Sequence, residues 1–305
     1  MNIRLKEYIQ LEYVENSTHI KKGDILLEIE DSEKVIFNIL KKRKWNKNDL
    51  PTELKNFIIQ ADLVCVDYDT PKDFEFSKNL YYFENRLPFS RKSPITFQKE
   101  LSNKRVLIIG CGGIGTVVLQ NLIFFGFKKF TLIDNDEVNI HNLNRQLFFN
   151  KKDLSKSKVD VLKKKIKEFS IDIDIESFNI YIEEENNFFA ELLNKEKIDF
   201  VIGAADTPFN INHILSEICI QYNIPFISGS VGINSANWGP IVTEKSKLSK
   251  QNKFSGNLQG SISSTNMLLG SFIANDILEF FLDSSQMKLY KKKIINFKNY
   301  SIEVV

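Results

Sequence analysis

One glycine-rich segment constrains the fold of this 305-residue chain more than any other feature. The run GCGGIG, at residues 110–115, has the spacing G-x-G-x-x-G. It follows the apolar run Arg105–Ile109, which predicts a strand buried on both faces, and it opens the helical pattern Ile114–Phe125. Asp134 ends the next apolar run, 19 positions after Gly115. A strand, a glycine turn, a helix and an acid in this order predict a nucleotide site, with phosphates at the helix N-terminus and ribose at the carboxylate.

Strand and helix patterns alternate from Lys104 onwards, with spacings long enough for the crossovers that parallel strands need. Further strands are predicted at Phe130–Asp134, Phe200–Ala204 and Pro225–Ser230, and helices at Lys156–Phe169, Ile211–Tyr222 and Met267–Leu282. A closing pair of strands is predicted within 288–305. We therefore expect a doubly wound, mostly parallel α/β sheet over residues 104–305.

The first 80 residues have a different pattern, in which short β-type runs precede two small helices. Ser32 is the expected cap of the first helix. The pattern predicts a small α+β, winged-helix-like module over 1–80, followed by a linker and arm over 81–103.

Composition excludes several classes of protein. The 41 basic and 39 acidic residues give a net charge of +2, which is too small for binding polyanions by bulk charge. Three cysteines without a CxxC pair exclude a four-cysteine zinc site and disfavour a disulfide framework. The N-terminus lacks the apolar region of a signal peptide, and no stretch of 18 apolar residues occurs, so we expect a soluble cytoplasmic protein.

Polar residues downstream of the glycine turn decide between two nucleotide chemistries. The fingerprint alone favours a hydride-transferring dehydrogenase. However, Asn142-Leu143-Asn144-Arg145-Gln146, Lys158 and Asp206 follow at or near predicted strand ends. Cations and a metal-binding carboxylate are what phosphoryl or nucleotidyl transfer requires, because that chemistry depends on neutralising phosphate charge.

The segments GCGGIG, LIDNDEVNIHNLNRQ, KSKV and VIGAADTP, in this order, resemble the ThiF/MoeB/HesA superfamily, which shares its adenylating fold with ubiquitin-activating enzymes. The resemblance covers about residues 86–285. It implies a homodimer or pseudo-dimer, with a homodimer expected here, that makes an acyl-adenylate from a carboxylate and Mg-ATP. It also implies nucleotide-binding residues, which are Gly110, Gly112, Gly113, Gly115, Asp134, Asn142, Asn144 and Gln146.

By the same resemblance, Arg145, Lys158, Asp206 and Arg91 carry the chemistry, with Asp206 holding magnesium and Arg91 reaching the ATP of the neighbouring subunit. Three of these residues have a simpler alternative. Lys158 lies among other lysines that predict a solvated helix face, Asp206 can cap the next helix, and Arg91 can be a linker charge.

Two departures from the superfamily pattern narrow the predicted fate of the activated acyl group. The paired CxxC zinc ligands are missing, and residues 243–265 contain no cysteine for an acyl relay. The N-terminal module resembles the peptide clamp, or RiPP recognition element, of microcin C-type (MccB-like) enzymes, in which a leader peptide adds as a strand to a sheet edge. Together these imply adenylation of a carboxylate on a ribosomally made precursor peptide, followed by intramolecular capture of the acyl group by nitrogen.

Two alternatives of other kinds stay open at the sequence level. The substrate of the same chemistry can instead be a ubiquitin-like sulfur carrier that ends in Gly-Gly. A winged-helix module with the basic run 41–47 also occurs in DNA-binding regulators, although a lysine run is more often a solvated helix end, and we expect no nucleic-acid partner.

Overall fold

A computed structural model describes residues 1–89, 92–169, 172–182, 188–244 and 260–305. Contacts divide the chain into two units, Met1–Glu100 and Leu101–Val305. The helix α4, defined below, includes the boundary between them.

Antiparallel strands and short helices build the first unit. Its strands are β1 (Asn2–Leu5), β2 (Gln10–Val14), β3 (Ser17–Lys22), β4 (Ile25–Glu30), β5 (Lys44–Asn46) and β6 (Val64–Val66). Its helices are α1 (Val35–Lys41), α2 (Thr52–Gln60) and α3 (Ser77–Arg86), and α4 (Pro94–Ser102) follows. The strands form two three-stranded sheets, in the orders β5-β1-β6 and β2-β3-β4. Ile3, Ile20, Leu40 and Ile58 meet in one apolar core, so an α+β module forms as predicted.

The cap of α1 differs from the prediction. The carboxylate of Asp31, not Ser32, accepts hydrogen bonds from the N–H groups of Val35, Ile36 and Phe37. Burial acts to raise the pKa of Asp31, but these bonds, with one more from a threonine hydroxyl, hold that pKa below its ordinary value. Asp31 therefore stabilises the start of α1 as a carboxylate.

The second unit contains one large sheet and the helices that cover it. Its strands are β7 (Arg105–Ile109), β8 (Lys129–Ile133), β9 (Asp174–Phe178), β10 (Phe200–Gly203), β11 (Phe226–Val231), β12 (Ser235–Trp238), β13 (Lys293–Asn296) and β14 (Ile302–Val304). Its helices are α5 (Gly113–Phe125), α6 (Lys158–Ile166), α7 (Phe188–Lys195), α8 (Ile211–Gln221) and α9 (Ser263–Leu282). Strand β9 and helix α7 were not predicted.

The sheet order is β14-β13-β12-β11-β10-β7-β8-β9. Strands β11, β10, β7, β8 and β9 pair in parallel, and β12, β13 and β14 extend the sheet antiparallel. The predicted doubly wound, mostly parallel sheet is confirmed. From β7 the chain passes outward to β8 and β9 and then returns to β10 on the other side of β7. This reversal creates a crevice at the carboxyl ends of β7 and β10, which is where open α/β sheets bind ligands.

Helix α9 packs along α5, the helix that follows the glycine turn. Gly270 allows this approach, because a Cβ there would lie 2.7 Å from Cβ of Val117. In the part of the chain that the structure describes, no helix is both long and apolar enough to span a bilayer.

Candidate active site

The glycine turn between β7 and α5 lies at this crevice. Gly110 has φ +93°, and a Cβ there would lie 2.5 Å from the backbone of Ala204 and Ala205, which follow β10. A Cβ on Gly115 would overlap the carbonyl oxygen of Gly110. These two glycines are therefore required for the turn itself and for its contact with the neighbouring strand end.

Gly112 has a different environment. A Cβ there would meet only Nε2 of Gln146, at 3.7 Å, which is ordinary van der Waals contact. Gly112 also occupies the N-cap position of α5 and provides no side chain to cap the helix. The start of α5 therefore has no side-chain cap, and the space beside Gly112 is open, as a phosphate site at a helix N-terminus requires.

Asp134, the predicted ribose ligand, is tied to this turn. Its carboxylate accepts hydrogen bonds from the N–H of Cys111 at 2.5 Å and from the N–H of Asp136 at 2.8 Å. Burial raises the pKa of Asp134, although the nearby Lys158 and these hydrogen bonds oppose that effect. Burial likewise raises the pKa of the Cys111 thiol well above its ordinary value, so this cysteine is a packing residue rather than a nucleophile.

Lys158 is buried, which rules out the alternative of a solvated lysine. It is 4% exposed, whereas Lys156 and Lys164 are exposed. Ser157 caps α6 through its side chain, so Lys158 occupies the first helical position and points inward. Its Nζ lies 2.7 Å from Oδ2 of Asp136, a carboxylate that is itself largely exposed. A buried ammonium held this close to Asp134 and the glycine turn is suited to binding an anion.

The segment NLNRQ brings several predicted residues to the same turn, in different roles. Asn142 is buried, and its Oδ1 accepts a hydrogen bond from the N–H of Asn139, so this amide stabilises its own turn. Gln146 is 2% exposed and faces Gly112, and its Oε1 has no hydrogen-bond partner among the described residues. A buried amide oxygen without a partner indicates a missing donor, which a ligand or water can supply.

Arg145 and Asn144 lie beside the first turn of α5. The Cδ of Arg145 lies 3.5 Å from the position that a Cβ of Gly113 would take. Its Nη1 donates to the carbonyl of His141 at 2.8 Å and to Oδ1 of Asn144 at 3.0 Å. The structure therefore places the aliphatic part of Arg145 beside the uncapped start of α5, with the guanidinium held by His141 and Asn144.

Asn266, in the first turn of α9, was missed by the sequence analysis. It is 3% exposed, and its Oδ1 lies so close to Gly113 that a Cβ on that glycine would overlap it. The sequence placed Asn266 at the end of a mobile loop, 255–266, whereas residues 263–266 are helical, and 255–259 lie outside the described residues. No sequence signal pointed to Asn266, because its contact is made across 153 positions of chain.

Asp206, the predicted magnesium ligand, follows β10 on the opposite side of the crevice from the turn. It is exposed, and its Oδ1 accepts a hydrogen bond from Oγ1 of Thr207 at 3.3 Å. It does not cap α8, because the N-cap position belongs to Asn210. Within the described ranges, no three His, Cys, Asp or Glu side chains come together as a metal site. Arg91 lies outside the described residues.

The family model that describes the ThiF family matches residues 84–304. The chain belongs to the ThiF family. This confirms the resemblance drawn from the motifs, which cover the glycine turn, the NLNRQ segment and the strand end at Asp206.

Curated ThiF-like relatives match this chain over part of their length. SUMO-activating enzyme subunit 2 of Dictyostelium discoideum is 31% identical over 138 residues, which cover 45% of this chain and 20% of that protein. The probable molybdopterin-synthase adenylyltransferase of Porphyra purpurea is 28% identical over 167 residues, which cover 55% of this chain and 40% of that protein. The chain thus spans less than half the length of either.

Among solved structures, the fold is similar to that of E. coli MccB solved with ATP. The TM-score is 0.77 at 20% identity, and the match covers 100% of this chain and 96% of that protein. At this identity the likeness is one of fold. It includes the N-terminal unit, which the ThiF family match leaves out except for its last residues.

Proposed function

We propose that this chain is an adenylyltransferase that joins AMP from ATP to a carboxylate of a ribosomally made precursor peptide. The observation that carries the proposal is that Lys158, Arg145 and the orphaned Gln146 amide all lie near the glycine turn, Lys158 close enough to act on Cys111 and Asp134. The start of α5 has no side-chain cap, and the two cations can neutralise phosphate charge. E. coli MccB, whose fold is similar, has been solved with ATP and with the peptide MccA.

The proposed reaction is an in-line displacement at the α-phosphorus. A carboxylate oxygen of the peptide forms a bond to that phosphorus, the bond to the bridging oxygen breaks, and pyrophosphate leaves with the electron pair. Lys158 and Arg145 stabilise the charge on the phosphate oxygens, and Asp134 orients the ribose. Asp206 would bind Mg²⁺, which supplies further neutralisation and is commonly held by one or two carboxylates together with substrate phosphates.

A nitrogen is the proposed acceptor of the activated acyl group. Cys65, Cys111 and Cys219 are all buried. Burial raises the pKa of Cys65 to about 12 and raises that of Cys219 further still. No described cysteine is therefore available as a thiolate for an acyl relay, which favours capture by a nitrogen of the peptide itself.

The peptide is proposed to bind to the first unit as an added strand. Strand β4 lies at the edge of its sheet and, among the described residues, pairs with β3 alone. Ile25 and Leu26 in β4 are 58% and 59% exposed, which is unusual for apolar residues at a free strand edge. An extended peptide can satisfy the open backbone groups of β4 and cover these side chains. We further propose a homodimer in which Arg91 of each chain reaches the ATP bound to the other.

Incubation with Mg-ATP and synthetic peptides encoded by short reading frames beside the gene tests the proposal. We expect pyrophosphate release together with a change in peptide mass. Arg145→Ala should lower the rate about a thousandfold, as for arginines that act on transferring phosphoryl groups.

A carrier protein ending in Gly-Gly, added in place of the peptides, tests the alternative that the curated relatives favour. If pyrophosphate is released with the carrier and not with the peptides, the carrier is the substrate. Absence of pyrophosphate release and of any mass change with both would refute the adenylation proposal.

A further inference from the structure

A closed ring of contacts surrounds the first turn of α5. Asn266 donates from Nδ2 to Oγ of Ser261 at 2.9 Å and to the carbonyl of Ile262 at 2.7 Å. Because Nδ2 donates both of these hydrogen bonds, Oδ1 lies on the opposite side of the amide, toward Gly113. The orientation of this buried amide is thus fixed by its own hydrogen bonds.

The ring continues from Ser261 to the NLNRQ segment. Nδ2 of Asn144 donates to the carbonyl of Ser261 at 3.0 Å. Oδ1 of Asn144 accepts from Nη1 of Arg145 at 3.0 Å, and the side chain of Arg145 returns to Gly113. The hydrogen bond between Asn144 and Ser261 joins two segments that lie 117 positions apart in the sequence.

We infer that Asn266 is a positioning residue that holds Arg145 at the N-terminus of α5. The inference rests on the proposed function, in which Arg145 binds ATP phosphates. Asn266 is too deeply buried to act as a surface group, and its contacts lead to Arg145 through Ser261 and Asn144. Without the Asn266 amide, Ser261 loses a hydrogen-bond partner, Asn144 is less constrained, and the guanidinium is free to leave the phosphate position.

Mg-ATP binding measured by titration calorimetry tests this without the peptide. The variants are Asn266→Ala, Arg145→Ala and the double variant. Loss of a charge-assisted hydrogen bond corresponds to roughly 10–100-fold in affinity, which we expect for Arg145→Ala. Asn266→Ala, which leaves the guanidinium present but displaced, should weaken binding about tenfold. The double variant should bind no more weakly than Arg145→Ala, because Asn266 acts through Arg145.

Matched controls separate positioning from folding. Asn275 lies on the exposed face of the same helix. As a control, Asn275→Ala should leave both the ATP affinity and the thermal midpoint unchanged. Ser261→Ala removes one acceptor of the Asn266 amide and should weaken ATP binding in the same direction, which keeps the test decisive if Asn266→Ala fails to fold.

Three outcomes contradict the inference. The first is an unchanged ATP affinity in both Asn266→Ala and Ser261→Ala. The second is a double variant of Asn266 and Arg145 whose fold-loss of ATP affinity equals the product of the two single fold-losses. In both cases the proposed function stands, because the unaltered chain binds ATP. Failure of the unaltered chain to bind Mg-ATP overturns the proposed function and this inference together.

Discussion

A single methyl group added to the glycine turn should separate folding from nucleotide binding. At Gly112, φ is −85°, and an added Cβ would meet only Nε2 of Gln146 at 3.7 Å. No atom has to move, so Gly112→Ala should change the free energy of unfolding by less than about 1 kcal/mol, mostly through poorer capping. The methyl group would, however, lie where we propose that a phosphate approaches the backbone.

The expected loss of affinity follows from the hydrogen bonds that a displaced phosphate cannot make. A charge-assisted hydrogen bond contributes about 1.5–3 kcal/mol, so losing one should weaken Mg-ATP binding by roughly 10–100-fold. Titration calorimetry measures the affinity, and thermal unfolding followed by circular dichroism measures the stability. A Gly112→Ala chain that binds ATP as tightly as the unaltered chain would refute the assignment of this turn to phosphates.

Gly110 provides the matched comparison. An alanine there must adopt a left-handed φ, which costs about 1–2 kcal/mol, and its Cβ would lie 2.5 Å from backbone atoms of the segment after β10. Overpacking adds about 1–3 kcal/mol, so Gly110→Ala should destabilise the chain by about 2–5 kcal/mol. If both alanine variants were equally stable, the packing argument that distinguishes the two glycines would be wrong.

Three further substitutions test other parts of the structure. Lys158→Met keeps the buried stem but removes the ammonium, so Mg-ATP affinity should fall about tenfold or more, and an unchanged affinity in calorimetry would remove Lys158 from the site. Asp31→Asn should lower stability by about 1–3 kcal/mol near neutral pH, because an amide nitrogen cannot accept the hydrogen bonds that Oδ2 accepts from Phe37 and Thr18. Because the folded pKa of Asp31 is depressed, its contribution is present above the unfolded value, about 3.9, and disappears as pH falls further. Acid unfolding should therefore be less steep in Asp31→Asn, and identical pH profiles would contradict this. Lys293→Met strands the buried Asp276 carboxylate and should cost about 3–5 kcal/mol in denaturant unfolding, whereas adding Asp276→Asn should restore much of the loss, and no restoration would argue against an ion-pair origin.

The residues at the crevice could be predicted because topology collects them. The carboxyl ends of parallel strands lie at one edge of a sheet, so a glycine turn after β7 and an aspartate after β10 are expected at the same edge once the strands are identified. The sequence showed those strands as continuous apolar runs. Strand β9 was missed because it lies at the sheet edge, where Asp174 and Glu176 interrupt the apolar pattern.

The cap of α1 was misassigned for a local reason. Ser32 and Asp31 are neighbours, and both residue types are good caps. Lys34 has φ +58°, a left-handed conformation that the sequence did not indicate, and it turns the chain so that the carboxylate of Asp31 reaches three N–H groups of the helix. A backbone conformation outside the helix thus decided which side chain capped it.

The NLNRQ segment shows why a motif identifies a site before it assigns roles within it. All four polar residues of that segment were predicted to bind the nucleotide, yet the amide oxygen of Asn142 is committed to its own turn. Gln146, four residues later, differs from Asn142, because its amide oxygen is buried and has no hydrogen-bond partner among the described residues. A polar residue that the fold satisfies shapes the site, and one that the fold leaves unsatisfied is available to a ligand. We therefore expect Gln146, rather than Asn142, to contact the nucleotide directly.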